Sequence, residues 1–167
     1  MVTYYDEIAK SYNELYETEQ RKKLEVIKSY LDGKKIAINP NIKILDVGCG
    51  TGISQDFFER NYDADTFGID PSEGLLKQNN YQCMLGEAEE LDFEDDEFDI
   101  VVSITCLQNF KDIDKGLKEI KRVGKGLFII TFLKKSENIE LMENKIKENF
   151  EIVEKIEEEK DLIFILN

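Results

Sequence analysis

The chain has 167 residues, a length that fits one domain with a substantial buried core. Its 36 acids outnumber its 22 bases, so the formal net charge is −14, and we expect no independent binding to nucleic acid. Histidine is absent, which excludes an imidazole base and a histidine-ligated metal. The three cysteines show no metal-ligand spacing either, so we predict no metal site.

The amino-terminal stretch carries acids and tyrosines where a secretory signal would place basic and then apolar residues. No run of 18 apolar residues occurs, so we expect no membrane span. An odd number of cysteines without a secretion signal is typical of reduced thiols. These features predict a cytoplasmic location.

Two segments near the amino terminus have apolar residues at helical spacing. The pattern predicts amphipathic helices over residues 3–16 and 19–32. No repeat and no linker rich in proline or serine divides the remaining chain. We therefore predict a single domain over residues 1–167, with amino-terminal cap helices in 1–38 and a core in 42–167.

Short apolar segments alternate with helical patterns through the core. The predicted strands are 42–47, 66–69, 81–85, 98–104, 127–132, 150–156 and 162–166. This alternation predicts a doubly wound α/β fold, with a mainly parallel seven-stranded sheet and helices on both faces. The last two strands leave no room for a helix between them, so we expect an antiparallel hairpin at one edge. Ligands of such sheets bind at the carboxyl ends of the strands.

The stretch ILDVGCGTG, residues 44–52, places three glycines at such a strand end. The spacing Gly48-x-Gly50-x-Gly52 brings the third glycine one position too early for a dinucleotide fingerprint, and no G-K-[ST] follows for a P-loop. Asp46 would repel a pyrophosphate but would attract an ammonium group. A cofactor with an amino-acid end and a cationic centre suits the stretch better.

Residues 44–54, ILDVGCGTGIS, resemble the first motif of class I S-adenosylmethionine-dependent methyltransferases. The resemblance continues through GIDPSEGLL at 68–76 and GEAEELDFEDDEFDIVVSI at 86–104, and it covers roughly residues 4–133. It implies a small, single-domain methyltransferase with a Rossmann-like fold. The implied cofactor is S-adenosylmethionine, which becomes S-adenosylhomocysteine when its methyl group is transferred by in-line displacement.

The resemblance also implies roles for residues of the glycine stretch and of the second strand end. The three glycines would let the main chain approach the cofactor, and Asp46 would orient its methionine amino group. Asp70, 20 residues beyond Gly50, would accept both ribose hydroxyls, or it could instead cap a helix. Pro71 would flank the adenine.

Further roles are implied at the next strand ends and in the first predicted helix. Glu87 would accept the adenine amino group and the backbone amide of Ala88 would donate to the adjacent ring nitrogen, although Glu87 could also belong to a solvated acidic loop. Main-chain groups of Ser103 and Ile104 would line the methionine end. Tyr5 and Tyr12 lie on the apolar helix face; they either pack in the core or, as in related enzymes with a YD-x-x-A-x-x-Y opening, cover the cofactor.

The segment TCLQNF, residues 105–110, follows the fourth strand, where the methyl acceptor normally binds in this family. It has neither the Asn/Asp-Pro-Pro-aromatic signature of adenine and glutamine amide methylation nor the Pro-Cys of cytosine C5 chemistry. Gln108 and Asn109 could bind an acceptor, but we expect them to cap the helix that begins near Asp112. No residue is indicated as a catalytic base.

The chain has no insertion that would form a substrate domain. We therefore predict methyl transfer to a small molecule covered by the amino-terminal helices. Two alternatives stay open: a catalytic subunit that needs a protein partner to modify tRNA or protein, and a module that binds S-adenosylmethionine without catalysis.

Overall fold

The structure is a computed structural model that describes the backbone of residues 2–167 and the side chains of residues 4–167. Within this part of the chain, the helices are α1 Val2–Ile8, α2 Tyr12–Gly33, α3 Ile53–Tyr62, α4 Glu73–Leu76, α5 Ile113–Val123 and α6 Ile139–Asn149. The strands are β1 Lys43–Val47, β2 Asp65–Asp70, β3 Cys83–Leu85, β4 Phe98–Ser103, β5 Gly124–Leu133, β6 Ile152–Glu157 and β7 Asp161–Leu166. No helix in residues 2–167 is long and apolar enough to cross a membrane.

The strands form one seven-stranded sheet in the order β3-β2-β1-β4-β5-β7-β6. The pairs from β3 to β5 are parallel, whereas β7 runs antiparallel to both β5 and β6. The strand order reverses at β1 and β4, and ligands of doubly wound sheets bind at such a switch point. The carboxyl end of β1 therefore lies where a ligand is expected.

Apolar side chains cover both faces of the sheet. On one face, residues such as Val101 of β4 pack with Leu117 of α5 and Ile146 of α6. On the other face, Val102 packs in a cluster that includes Leu24 of α2 and further residues of α3. Consecutive residues of a strand point to opposite faces, so a strand buried on both sides is apolar throughout. The predicted doubly wound sheet with an antiparallel hairpin at its edge is confirmed.

The predicted break between two amino-terminal helices over 3–16 and 19–32 is wrong. The chain is continuous helix from Tyr12 to Gly33, and the interruption is a 3-10 turn at Ala9–Ser11. No proline or glycine interrupts the helix before Gly33, and the ion pair between Glu17 and Arg21 stabilises it across the predicted break.

Candidate cofactor site

The glycine loop after β1 forms the floor of a cleft at the switch point of the sheet. Gly48, Gly50 and Gly52 have φ of 85°, 52° and 87°, which is the left-handed region that side chains disfavour. A Cβ atom on Gly48 would overlap the Cys106 sulfur and would lie 2.8 Å from the Cys106 Cβ. The bare main chain of Gly48 therefore lets the loop after β4 pack directly against the loop after β1.

Three adjoining cavities share Gly48. The central cavity is lined by Tyr5, Tyr12, Gly50, Asp70, Pro71, Ser72, Leu75, Ile104, Thr105, Cys106 and Asn109 as well as Gly48. The second cavity extends toward β3 and is lined by Val47, Ile69, Pro71, Gly86, Glu87, Ala88, Glu89, Cys106, Asn109, Phe110 and Lys111. The third extends toward α2 and α3 and is lined by Tyr12, Gln20, Leu24, Cys49, Thr51, Ile53, Ser54 and Ile104. Together they form one elongated cleft whose centre is the glycine loop.

The side chain of Asp46 is buried and does not line any of the three cavities. One carboxylate oxygen, Oδ2, accepts a hydrogen bond from the hydroxyl of Ser54, a residue that lines the third cavity. The other, Oδ1, has no hydrogen-bond partner among residues 4–167. Burial raises the pKa of the Asp46 carboxyl to about 7. A buried carboxylate oxygen without a donor is suited to a ligand that brings one.

Asp70, at the end of β2, connects the glycine loop to the next loop of the site. Its Oδ2 accepts a hydrogen bond from the backbone N–H of Gly50 at 2.9 Å, and its Oδ1 accepts one from the N–H of Ser72 at 2.8 Å. Burial raises the pKa of the Asp70 carboxyl. The cap of α4 is Ser72, whose Oγ accepts from the N–H of Leu75 at 3.2 Å. Asp70 thus lines the central cavity with acceptor capacity left on both oxygens.

Tyr5 and Tyr12 form the roof of the central cavity. Their ring centroids are 6.2 Å apart, and the amide of Asn109 donates a hydrogen bond to the Tyr5 hydroxyl at 3.0 Å. Burial raises the pKa of both phenols, which are therefore neutral near pH 7. The contact with Asn109 connects the roof to the wall after β4.

The amino-terminal segment is attached to the rest of the site by Asp6, a residue that the sequence did not single out. Its Oδ1 accepts hydrogen bonds from the Ser72 hydroxyl at 2.6 Å and the Gly74 N–H at 2.9 Å. A Cβ atom on Gly74 would lie 3.0 Å from the Asp6 Cα, so the missing side chain allows this contact. Gly74 in the stretch DPSEG after β2 is the local sequence feature that could have indicated this contact, because glycine allows another segment of the chain to approach closely.

Glu87 and Ala88 meet in the second cavity. Glu87 forms an ion pair with Lys111, and Ala88 is buried. Beside them Glu89, also missed by sequence reasoning, accepts hydrogen bonds at its Oε1 from the N–H groups of Lys111 at 2.6 Å and Asp112 at 3.1 Å. Glu89 thereby holds the loop before α5 against this cavity.

Three other predicted residues take different positions around the cleft. Ile104 lines both the central and the third cavity. Ser103 is fully buried and does not line any of the three cavities. Gly52 also lies outside the lining; the space beside it is filled by Asn79 and Tyr81, so its missing side chain accommodates this packing.

Gln108 and Asn109 do not cap α5, and that expectation is wrong. Asp112 is the cap, because its Oδ1 accepts a hydrogen bond from the N–H of Lys115 at 3.0 Å. The Gln108 amide instead donates to the carbonyl of Thr105 at 2.8 Å, and Asn109 contacts the roof. The intervening 3-10 turn at Leu107–Asn109 places both side chains too early to reach the free N–H groups of α5.

Comparison with known proteins extends the resemblance to a family assignment. The methyltransferase domain family matches residues 45–130, more than half of the chain. An uncharacterized protein of Methanocaldococcus jannaschii, MJ1252, is 30% identical over 156 residues, which are 90% of this chain and 58% of the relative. Demethylmenaquinone methyltransferase of Corynebacterium kroppenstedtii is 35% identical over 95 residues, 55% of this chain and 41% of that enzyme. The chain thus spans about half the length of these curated relatives.

The fold is shared with solved structures over the whole chain. The PH0226 protein of Pyrococcus horikoshii superimposes with a TM-score of 0.78 at 21% identity, over 99% of this chain and 98% of that protein. The family match and the shared fold lead to one assignment. The chain belongs to the methyltransferase domain family.

Proposed function

We propose that this protein transfers the methyl group of S-adenosylmethionine to a small-molecule acceptor. The observation that supports a small acceptor is the roof of the central cavity. Tyr5 and Tyr12 partly cover the cleft, and the hydrogen bond from Asn109 to Tyr5 joins that roof to the opposite wall. A cleft that the chain's own side chains partly cover suits a ligand small enough to lie beneath them.

Residues that line the cleft, together with buried residues next to it, are proposed to bind the cofactor in three parts. Asp46 offers its unpartnered Oδ1 to the ammonium group of the methionine end. Asp70 offers its remaining acceptor capacity to the two ribose hydroxyls, next to the main chain of Gly48 and Gly50. Toward β3, the second cavity would receive the adenine. The proposed adenine ligands there are Glu87, Ala88 and Pro71. The methionine end is proposed to be supported by the main chain of Ser103, Ile104 and Gly52.

The bound cofactor supplies an electrophilic methyl group on a sulfonium, and the chain's own residues position the acceptor and exclude water. Apart from Asp70, the titratable side chains that line the central cavity are Tyr5, Tyr12 and Cys106. Burial raises the pKa of all three, so they are protonated near pH 7 and are poor general bases. We therefore propose an acceptor that is already nucleophilic, such as a neutral amine or a thiolate, and catalysis through orientation.

An alternative is supported by the edges of the sheet. The outer strand β3 exposes Met84 and Leu85, at 37% and 52% of their surface, and lies at one edge of the sheet next to β2. Such an edge can receive a strand of another protein, as a catalytic subunit of a tRNA or protein methyltransferase would require. We also propose a cytoplasmic location, which the free thiols of Cys49, Cys83 and Cys106 support.

The experiment that tests the proposal is a tritiated-methyl transfer assay in extract of the source organism. Wild-type protein should label the small-molecule fraction, and Asp70→Ala should label no fraction. Label in RNA or in protein would contradict a small acceptor and favour the alternative. Binding of S-adenosylhomocysteine without label in any fraction would indicate a module that binds the cofactor without catalysis.

Cofactor affinity should depend on pH through Asp46. Its pKa of about 7 means that the carboxyl must lose a proton before it can pair with an ammonium group. We expect S-adenosylhomocysteine to bind up to about tenfold more weakly for each pH unit below about 6, and with constant affinity above about 7.5. Calorimetric titration from about pH 5.5 to 8 measures this dependence.

Asp46→Asn is the control, and it should bind weakly with little dependence on pH. The stability of the ligand-free protein should change in the opposite direction. Because the folded-state pKa is raised above its ordinary value of 3.8, the folded protein holds this proton more tightly, and its stability should fall as pH rises from about 4 to about 7. Equal wild-type affinities at pH 5.5 and pH 8 would argue against the ammonium role.

A further inference from the structure

Thr105 lies in the wall of the cleft with an unusual backbone conformation. Its φ is 54°, in the left-handed region that a β-branched residue adopts only when its surroundings impose it. Its neighbours on both sides, Ile104 and Cys106, line the central cavity as well. Because the Cys106 side chain packs against Gly48, the conformation of Thr105 decides how this wall meets the glycine loop.

A polar cluster of five residues holds Thr105 in place. Three of its members, Lys23, Thr131 and Asp161, are buried, whereas Thr105 itself and Gln20 are partly exposed. The ammonium of Lys23 lies 2.8 Å from the Asp161 Oδ2, and both side chains are fully buried. The Thr105 hydroxyl donates to the same Oδ2 at 2.8 Å and accepts from Lys23. Thr131 accepts a hydrogen bond from the Thr105 N–H at 2.7 Å, and its own hydroxyl donates to Asp161 at 3.2 Å.

Stability alone does not explain an ion pair in this position. Removing both charges from water costs free energy, which well-packed apolar side chains of similar volume would not incur. The second oxygen of Asp161, Oδ1, has no partner among residues 4–167, so the pair is also incompletely compensated. The ion pair instead fixes the geometry of Thr105. Asp161 binds the Thr105 side chain, while Thr131 binds its N–H and Gln108 binds its carbonyl.

Lys23 and Asp161 come from the two ends of the chain. Lys23 belongs to α2, and Asp161 is the first residue of β7 in the carboxyl-terminal hairpin. Neither residue lines any of the three cavities of the cleft. They can therefore influence a ligand only through neighbours that do line the cleft, which are Thr105 in the central cavity and Gln20, which accepts a hydrogen bond from Lys23 at 3.3 Å, in the third.

We propose that Lys23 and Asp161 are positioning residues, which hold Thr105 in its left-handed conformation and thereby preform the wall of the cofactor cleft. The proposal rests on the proposed function, because the cleft is the S-adenosylmethionine site. It predicts that loss of the cluster weakens ligand binding even where the fold is retained.

The first test compares Thr105→Ala with Thr105→Ser. Alanine removes the hydroxyl that contacts the ion pair, whereas serine retains it. We expect calorimetric titration to show S-adenosylhomocysteine binding weakened about tenfold in Thr105→Ala and within about twofold of wild type in Thr105→Ser. A merely structural role would lower the melting temperature of Thr105→Ala and leave its affinity unchanged, and that result would overturn the proposal.

The second test replaces the ion pair with apolar side chains of similar length and branching, in Lys23→Met combined with Asp161→Leu. We expect a folded protein with a melting temperature near that of wild type, but with S-adenosylhomocysteine binding weakened about tenfold. Lys22→Met is the matched control, because Lys22 is on the same helix, is 65% exposed and forms a surface ion pair with Glu159 at 4.0 Å. Its affinity should equal that of wild type.

The outcomes separate this proposal from the function on which it rests. If wild type does not bind S-adenosylhomocysteine, the proposed function fails. If wild type binds and the folded double variant binds equally well, only the positioning role fails. Should the double variant not fold, the pair Thr105→Ala and Thr105→Ser decides the question.

Discussion

Replacing Asp70 with alanine is expected to weaken S-adenosylhomocysteine binding by about a hundredfold or more. A hydrogen bond to a charged group contributes about 1.5–3 kcal/mol, and each 1.4 kcal/mol is about a tenfold change in affinity. The two bonds proposed to the ribose hydroxyls would be lost together. The same substitution frees the N–H groups of Gly50 and Ser72, so the glycine loop also loses its connection to the β2–α4 loop.

Calorimetric titration of Asp70→Ala and Asp70→Asn measures this loss. Asparagine retains one carbonyl acceptor and the shape of the side chain, so its affinity should fall between those of wild type and alanine. Asp65→Ala is the control, because Asp65 is an exposed residue that begins the same strand. An Asp70→Ala variant that binds within about threefold of wild type would rule out the ribose role.

Gly48→Ala should be the most destabilising single methyl addition in the cofactor loop. A left-handed alanine costs about 1–2 kcal/mol, and forcing a side chain into filled space costs about 1–3 kcal/mol. At Gly48 both apply, because φ is 85° and the added Cβ would overlap Cys106. We expect the free energy of unfolding to fall by about 2–5 kcal/mol and binding of S-adenosylhomocysteine to be lost.

Gly33→Ala is the matched control for this substitution. Gly33 is the last residue of α2, and a Cβ atom there would meet nothing within 4 Å. Alanine in a helix is favoured over glycine by up to about 1 kcal/mol, so this variant should be as stable as wild type or slightly more stable. Urea unfolding monitored by circular dichroism compares the two variants. Equal stability of Gly48→Ala and wild type would show that the loop after β4 does not constrain Gly48.

The core of the fold follows from local pattern. Strands such as Phe98–Ser103 are mostly apolar because both faces are covered, and such a short apolar run differs from the helical spacing of apolar residues in the amphipathic helices. The glycine loop of the first motif could also be predicted from the sequence, since only glycine adopts its φ values without cost. The ribose role of Asp70 was implied by the family resemblance, and its position at the end of β2 agrees with the length of one strand-helix-strand unit after the glycines.

The amino-terminal helices were predicted less accurately. Apolar spacing indicated helix on both sides of residues 17–18 but did not show that the helix is continuous there, and the interruption is at Ala9–Ser11. Ala9 packs near Gly74, and Asp6 binds the same loop, so tertiary contacts determine where the chain turns. Helix ends set by distant contacts leave little trace in periodicity.

The sequence by itself therefore determined the fold class and the position of the glycine loop at a strand end, because these depend on periodicity and on residues close together in the chain. Only the tertiary structure decided that β7 lies between β5 and β6, that Asp6 attaches α1 to the site, and that Lys23 meets Asp161. Lys23 and Asp161 are separated by most of the chain. In the sequence, each of them looks like an ordinary charged residue on the solvent-exposed surface. Their role exists only where the sheet and α2 bring them together beside Thr105.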